Sequence, residues 1–148
     1  MDPRHFISLA IRLSNGNHEA DLRTAVGRAY YGSFHLARQL VEECGVRWPR
    51  KDIYAAEIHR KVRFCLSESA DTDAMLASDK LWSLRDLRNK ADYDLDSSAF
   101  AKASVAAMIR VAQEIVDALQ RCRTAPGFAE ARQRISSYAR DVLHITIE

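Results

Sequence analysis

The sequence predicts an all-α fold, an antiparallel bundle of five to six helices, and three observations predict it. Breakers are scarce, with 5 Gly and 3 Pro in 148 residues, while Ala, Leu, Arg and Glu, all good helix formers, are abundant. Apolar residues recur at three- and four-residue spacing along most of the chain, the period of a helix with one buried face. The stretches between these patterns are short, which makes successive helices antiparallel neighbours. With 47% hydrophobic and 28% charged residues, the chain has the composition of a protein that folds around a core. A single domain over 1–148 is expected, with its core within about 1–123 and a helix and tail over 124–148.

Each element has a local reason. Pro3–Ser14 reads as a first helix, with Pro3 near its first turn and Phe6, Leu9, Ala10 and Leu13 on one side. Ser14–Asn17 is a turn signal, and Asn17 is placed to cap the next helix. Residues 18–44 form one long helical pattern that stops at Gly45. The connector VRWPRKD covers 46–52, and Asp52 is placed to cap a third helix over about 53–67. SESADTD at 67–73 breaks the pattern again before a helix whose best-marked part is Leu81–Asp96. Asp96, Ser97 and Ser98 offer a cap for Ala99–Arg123, which repeats apolar residues at 105, 108, 109, 112, 115, 116 and 119. Pro126 opens a last helix to about Val142, and the tail LHITIE alternates like a strand. One such strand needs a partner.

Several function classes drop out. A net charge of +2 does not by itself mark a nucleic-acid binder. Cys44, Cys65 and Cys122 lie far apart with no CxxC pair, which reads as buried reduced thiols of a cytoplasmic protein, not a disulfide frame or zinc site. Arg4 and Arg12 interrupt the first apolar residues, so no signal peptide is read. Apolar runs such as Val105–Ile109 fall far short of the ~20 residues that span a bilayer. There is no Gly-rich phosphate loop, HExxH or GxSxG, and the five histidines lack metal-ligand spacing. Neither a metal nor a cofactor is expected.

Two stretches carry the remaining information. In Leu81–Asp96, LWSLRDLRNKADYDLD, a turn of about 100° per residue gathers Leu84, Leu87, Ala91 and Leu95 on one side. Arg88 falls at the edge of that arc, with Arg85, Asn89 and Asp92 beside it, and Trp82 and Tyr93 form a second apolar edge beyond. A polar strip between two apolar bands suits a helix packed on its own chain on one side and on a partner on the other. The plainer reading makes Arg88 and Asp92 an ordinary i,i+4 ion pair worth ~0.2–0.5 kcal/mol. In the long helix, Ala25, Ala29, Ser33 and Ala37 make a small-residue ridge that admits a close neighbour. Val26, Tyr30 and Phe34 form a bulky row beside it, and Arg28, Tyr31, His35 and Arg38 line another side.

Together, RAYYGSFHLAR at 28–38 and LRDLRNKADYDL at 84–95 resemble the HEPN superfamily, most of all small bacterial members with a YYxxFHxA helix and a later RxxADY element. The resemblance covers about residues 18–123. It implies a bundle that pairs across a two-fold axis, so that motif helices from both subunits make a composite RNA-cleaving cleft. It also implies kinship with toxins that work beside a small nucleotidyltransferase. The implied chemistry needs no metal: a ribose 2′-hydroxyl attacks the adjacent phosphodiester, an arginine stabilises the phosphate charge, and a histidine moves protons. Arg88 matches the motif arginine and Asn89 the polar residue after it, but Tyr93 stands where the histidine is expected. A phenol ionises near roughly 10, against roughly 6.5 for imidazole, so it is a poor proton shuttle at neutral pH. His35 or His59 is left to stand in as base.

Charge is unevenly spread. Val46–Phe64 carries six Lys/Arg against two acids around Trp48, and basic residues near an exposed aromatic suit single-stranded RNA. The plainer reading is a solvated surface with Trp48 packed before Pro49. Ser67–Ala99 holds eight acids against four bases. Two functions follow. One is a metal-independent endoribonuclease with Arg88, Asn89 and Tyr93 at the cleft and Arg85, Lys90, Arg47, Trp48, Arg50 and Lys51 on the RNA. The other is a non-catalytic interaction or RNA- or nucleotide-binding dimer. Both expect a homodimer with Trp82 and Tyr93 in its interface.

Overall fold

A computed structural model describes residues 1–148 and is all-α, as the periodicity predicts. Its helices are α1 (Arg4–Ser14), α2 (Glu19–Glu43), α3 (Arg50–Ile53), α4 (Glu57–Ser67), α5 (Thr72–Tyr93), α6 (Lys102–Thr124) and α7 (Phe128–Asp141). Two short strands, β1 (Val46–Arg47) and β2 (Thr146–Ile147), pair antiparallel with Val46 opposite Ile147. No helix is long and apolar enough to cross a membrane. The chain divides into two compact units, residues 1–36 with 80–116 and residues 37–79 with 117–148. Helices α2, α5 and α6 each contribute a segment to both.

In the first unit the small-residue ridge does what its spacing suggests: Ala25, Ala29 and Ser33 are fully buried. Ser33 keeps its hydroxyl satisfied by donating to the Ala29 carbonyl at 3.0 Å. Beside the ridge, α1 approaches α2 so closely at Gly32 that a Cβ there would lie 2.6 Å from Ile7 Cδ1, so any side chain at 32 would have to displace Ile7. Of the expected apolar arc of α5, Leu84 and Ala91 are buried and Leu87 is half-buried. Leu95 is not part of it. The helix ends at Tyr93, which takes Leu95 off the helical wheel and leaves its side chain 75% exposed.

That helix end is held by Arg23 of α2, which is only 8% exposed. Its Nη1 donates to the carbonyls of Ala91 (3.0 Å) and Asp94 (2.9 Å), and its Nη2 to those of Leu95 (3.1 Å) and Ser97 (3.0 Å). Nε donates to Glu19 Oε1 at 2.7 Å, and the guanidinium lies over the Phe100 ring at 4.7 Å. The last carbonyls of a helix have no intrahelical partner, and a guanidinium with five donors in one plane is well suited to collect several. At the other end of the same segment, Ser97 accepts from the Ala99 N–H, but it opens a short 3-10 turn, Ser98–Phe100, and the helix expected from Ala99 begins only at Lys102. Asn17 accepts from Lys102 Nζ at 3.3 Å.

In the second unit the expected third helix is split. Residues 50–53 form the single turn α3, and α4 starts only at Glu57. Asp52 therefore caps nothing: it sits inside α3, nearly buried, and pairs with Lys61 of α4 at 2.7 Å. This extra turn brings the count to seven helices. The helix α2 ends as predicted at Gly45, whose φ of +96° disfavours any side chain and whose Cβ would meet the Glu148 carbonyl at 2.7 Å. The alternating tail finds its partner within the chain, on β1. Cys44, Cys65 and Cys122 are buried free thiols.

Candidate functional site

The two stretches singled out by sequence meet in the first unit. On α2, the spacing of 28, 31 and 35 places Arg28, Tyr31 and His35 along one side. On α5, residues 85, 88, 89 and 92 share a face by the same rule. The Arg88 guanidinium sits over the Tyr31 ring at 5.2 Å and donates from Nη2 to the Tyr31 hydroxyl at 2.9 Å. Its Nη1 donates to Asn89 Oδ1 at 3.0 Å. Its Nε lies 2.8 Å from Asp92 Oδ2, so the i,i+4 pair of the plainer reading is present. That contact is an ion pair without hydrogen-bond alignment, because the shielded Nε–H finds no acceptor.

Two further arginines join the cluster. Arg28 lies over both the Tyr31 and Phe6 rings, at 5.7 and 5.6 Å. Arg85 lies over Trp82 at 5.0 Å and is hydrogen-bonded to Tyr30. Burial pushes the Tyr30 hydroxyl well above the ordinary phenol range, against the opposing pull of Arg85 and Arg88. His35 stacks between Phe6 (6.0 Å) and Tyr31 (6.5 Å). Of the three guanidiniums only that of Arg88 has a carboxylate in ion-pair range, Asp92. The result is a positively charged, aromatic-lined surface, suited to an anion that offers parallel oxygen acceptors.

The other expected site residues fall elsewhere. Tyr93 is 77% exposed at the end of α5 and makes no hydrogen bond or ring contact with the cluster. Trp82 is half-buried beneath Arg85, and Lys90 is exposed. In the second unit, the expectation of an exposed Trp48 is corrected. Its ring is only 8% exposed and its Nε1 is buried without a partner, so it offers no face for a base. Arg47 is tied to Glu148 at 2.6 Å, while Arg50 and Lys51 are exposed. His59 also belongs to the second unit, which leaves His35 as the histidine beside Arg88's partner Tyr31. No group of three His, Cys, Asp or Glu side chains is placed to hold a metal ion.

Sequence reasoning aligned Arg28 with Tyr31 and His35 but gave it no role, and it passed over Phe6 and Arg23. Phe6 was legible only as a core residue of α1. Arg23 carried no signal for its role at the end of α5, since the carbonyls it binds lie about 70 residues away.

Comparison with known proteins adds one relative. Over 114 residues the chain is 30% identical to Uncharacterized protein MJ0628 of Methanocaldococcus jannaschii, an alignment that covers 69% of each chain. No protein-family model and no solved structure matches the chain.

Proposed function

The chain belongs to the family of Uncharacterized protein MJ0628, and we propose, on the motif resemblance and the site's geometry, that it is an HEPN-type RNA-binding module whose working surface is the arginine cluster of the first unit. The observation that carries the reading is that Arg28 and Arg88 share one tyrosine ring, and that of the three arginines only Arg88 has a carboxylate partner, Asp92. Neighbouring guanidiniums favour an anion that both can reach, and a phosphodiester supplies both the charge and the paired oxygens. The identity of that anion as RNA draws on the HEPN resemblance. Tyr31 and His35 come from one motif and Arg88, Asn89 and Asp92 from the other, and the two motifs meet in this cluster.

Binding without cleavage is the better-supported form, because the tyrosine at the motif-histidine position lies outside the cluster. One observation favours cleavage: His35 stacks on the ring whose hydroxyl holds Arg88. The same reading carries a homodimer that uses the exposed Tyr93 and the neighbouring Trp82, and a nucleotidyltransferase as partner protein.

The test is fluorescence anisotropy with a labelled 12-mer RNA, together with a cleavage assay in excess EDTA. Wild type is expected to bind with a steep salt dependence and not to cleave. Arg88→Ala is expected to weaken binding roughly tenfold, the loss of one charge-assisted contact of about 1.4 kcal/mol. RNA affinity unchanged by both Arg88→Ala and Arg28→Ala overturns the reading. Cleavage by wild type that disappears in His35→Gln moves it to the nuclease form.

A further inference from the structure

We propose that Asp92 is a built-in competitor for the anion bound by Arg88, and that a phosphodiester binds by displacing it. The proposal takes its ligand from the RNA-binding reading, but the competition itself rests on the geometry of the Arg88 guanidinium. Two of its edges are held by neutral acceptors, the Tyr31 hydroxyl at 2.9 Å and Asn89 Oδ1 at 3.0 Å. These fix its orientation without cancelling its charge. The third, the Nε edge, is covered by the Asp92 carboxylate at 2.8 Å, yet that N–H has no aligned acceptor.

The energetics of that edge favour exchange. An i,i+4 pair with a partly exposed carboxylate is weak, and the Asp92 side chain is 38% exposed, against 22% for Arg88. A shielded N–H without an acceptor forgoes the hydrogen bond that it would make to water or to a ligand. Asp92 is anchored one helical turn away on the same helix and its oxygen lies out of line with that N–H, whereas a free phosphodiester can approach in line. Its two non-bridging oxygens can take Nε–H and a neighbouring Nη–H side by side, the bidentate geometry that guanidinium prefers. Until that exchange, the Asp92 charge compensates Arg88 and repels any polyanion that approaches. The competitor thus selects for ligands with paired anionic oxygens and against single-oxygen acceptors.

Asp92→Asn keeps the shape and removes the charge. The measurement is the affinity of wild type, Asp92→Asn, Arg88→Ala and the double variant for a labelled 12-mer oligouridylate and, separately, for inorganic phosphate. Thermal melts check that each variant is folded. The expected result is three- to tenfold tighter RNA binding by Asp92→Asn, with the gain abolished in the double variant. RNA binding by Asp92→Asn that equals or falls below wild type, while Arg88→Ala still weakens it, overturns the competitor and leaves the RNA reading standing. If no variant binds RNA but Asp92→Asn gains Arg88-dependent phosphate affinity, the competitor stands and the RNA reading falls. If neither probe binds any variant, both fall.

Discussion

Two arginines of the first unit show how neighbours decide what one side chain does. Arg23 has an acceptor for every nitrogen and is nearly buried, so its donors are spent on the fold. Arg88 has the same chemistry, but its Nε edge meets only an unaligned carboxylate, so part of its donor capacity is unused by the fold. Burial decides the cysteines just as locally. It pushes the thiols of Cys44, Cys65 and Cys122 up to about 12 by disfavouring the thiolate. In the folded protein these thiols are expected to resist a disulfide-type thiol reagent at pH 8 for hours, and all three to react on unfolding. Folding raises these values, so the associated stability is full below the unfolded thiol value of 9.0 and declines as pH rises from there toward 12. Fast labelling of the native protein at pH 8 would contradict this burial.

The helix α5 works because its end is tied down. Arg88, Asn89 and Asp92 lie in its last two turns, where an untethered helix frays. Arg23 collects the carbonyls of Ala91, Asp94, Leu95 and Ser97 and so keeps those turns wound. Arg23→Met retains the aliphatic stem but strands these acceptors, and is expected to cost roughly 2–4 kcal/mol, since the outer carbonyls can rehydrate while the inner one cannot. Arg23→Lys is expected to lose most of the same amount, because a single ammonium lacks the planar fork needed to reach four acceptors. Urea melts of the two variants measure this. A Lys variant as stable as wild type would mean that charge, not geometry, is what the helix end requires.

Beyond single helices, the pairing of β1 with β2 joins residues about 100 positions apart in the second unit. The strands are two residues long, so their backbone bonds alone hold little. The anchor is Ile145, 4% exposed, whose N–H donates to the Ala139 carbonyl at 2.9 Å. Ile145→Ala is expected to destabilise the protein by about 2–4 kcal/mol through lost burial and a residual cavity. Glu148→Gln is expected to leave the unfolding midpoint in place, because the Arg47–Glu148 pair is exposed. Equal effects of the two substitutions in thermal melts would shift the anchoring role from the isoleucine to the ion pair.

Local periodicity was enough to read most helices, the buried ridge Ala25–Ala29–Ser33–Ala37, the stop at Gly45, and the Arg88–Asp92 pair. Each of these depends on residues within a few positions of one another, where spacing dictates which side chains share a face. The cluster was half legible: Tyr31, His35, Arg88 and Asn89 stood out, but not their union with Arg28 and Phe6. Leu95, Trp48, Arg23 and the strand partner of the tail were decided by packing between segments distant in sequence. A helical wheel assigned Leu95 to the core because it could not see that Arg23 ends the helix at Tyr93. Composition made Trp48 look like an exposed aromatic among bases because only burial against the rest of its unit takes its ring out of solvent. Spacing says which face of an element is apolar; which neighbour covers that face, and which polar atoms remain unpaired beside it, follows from the folded chain.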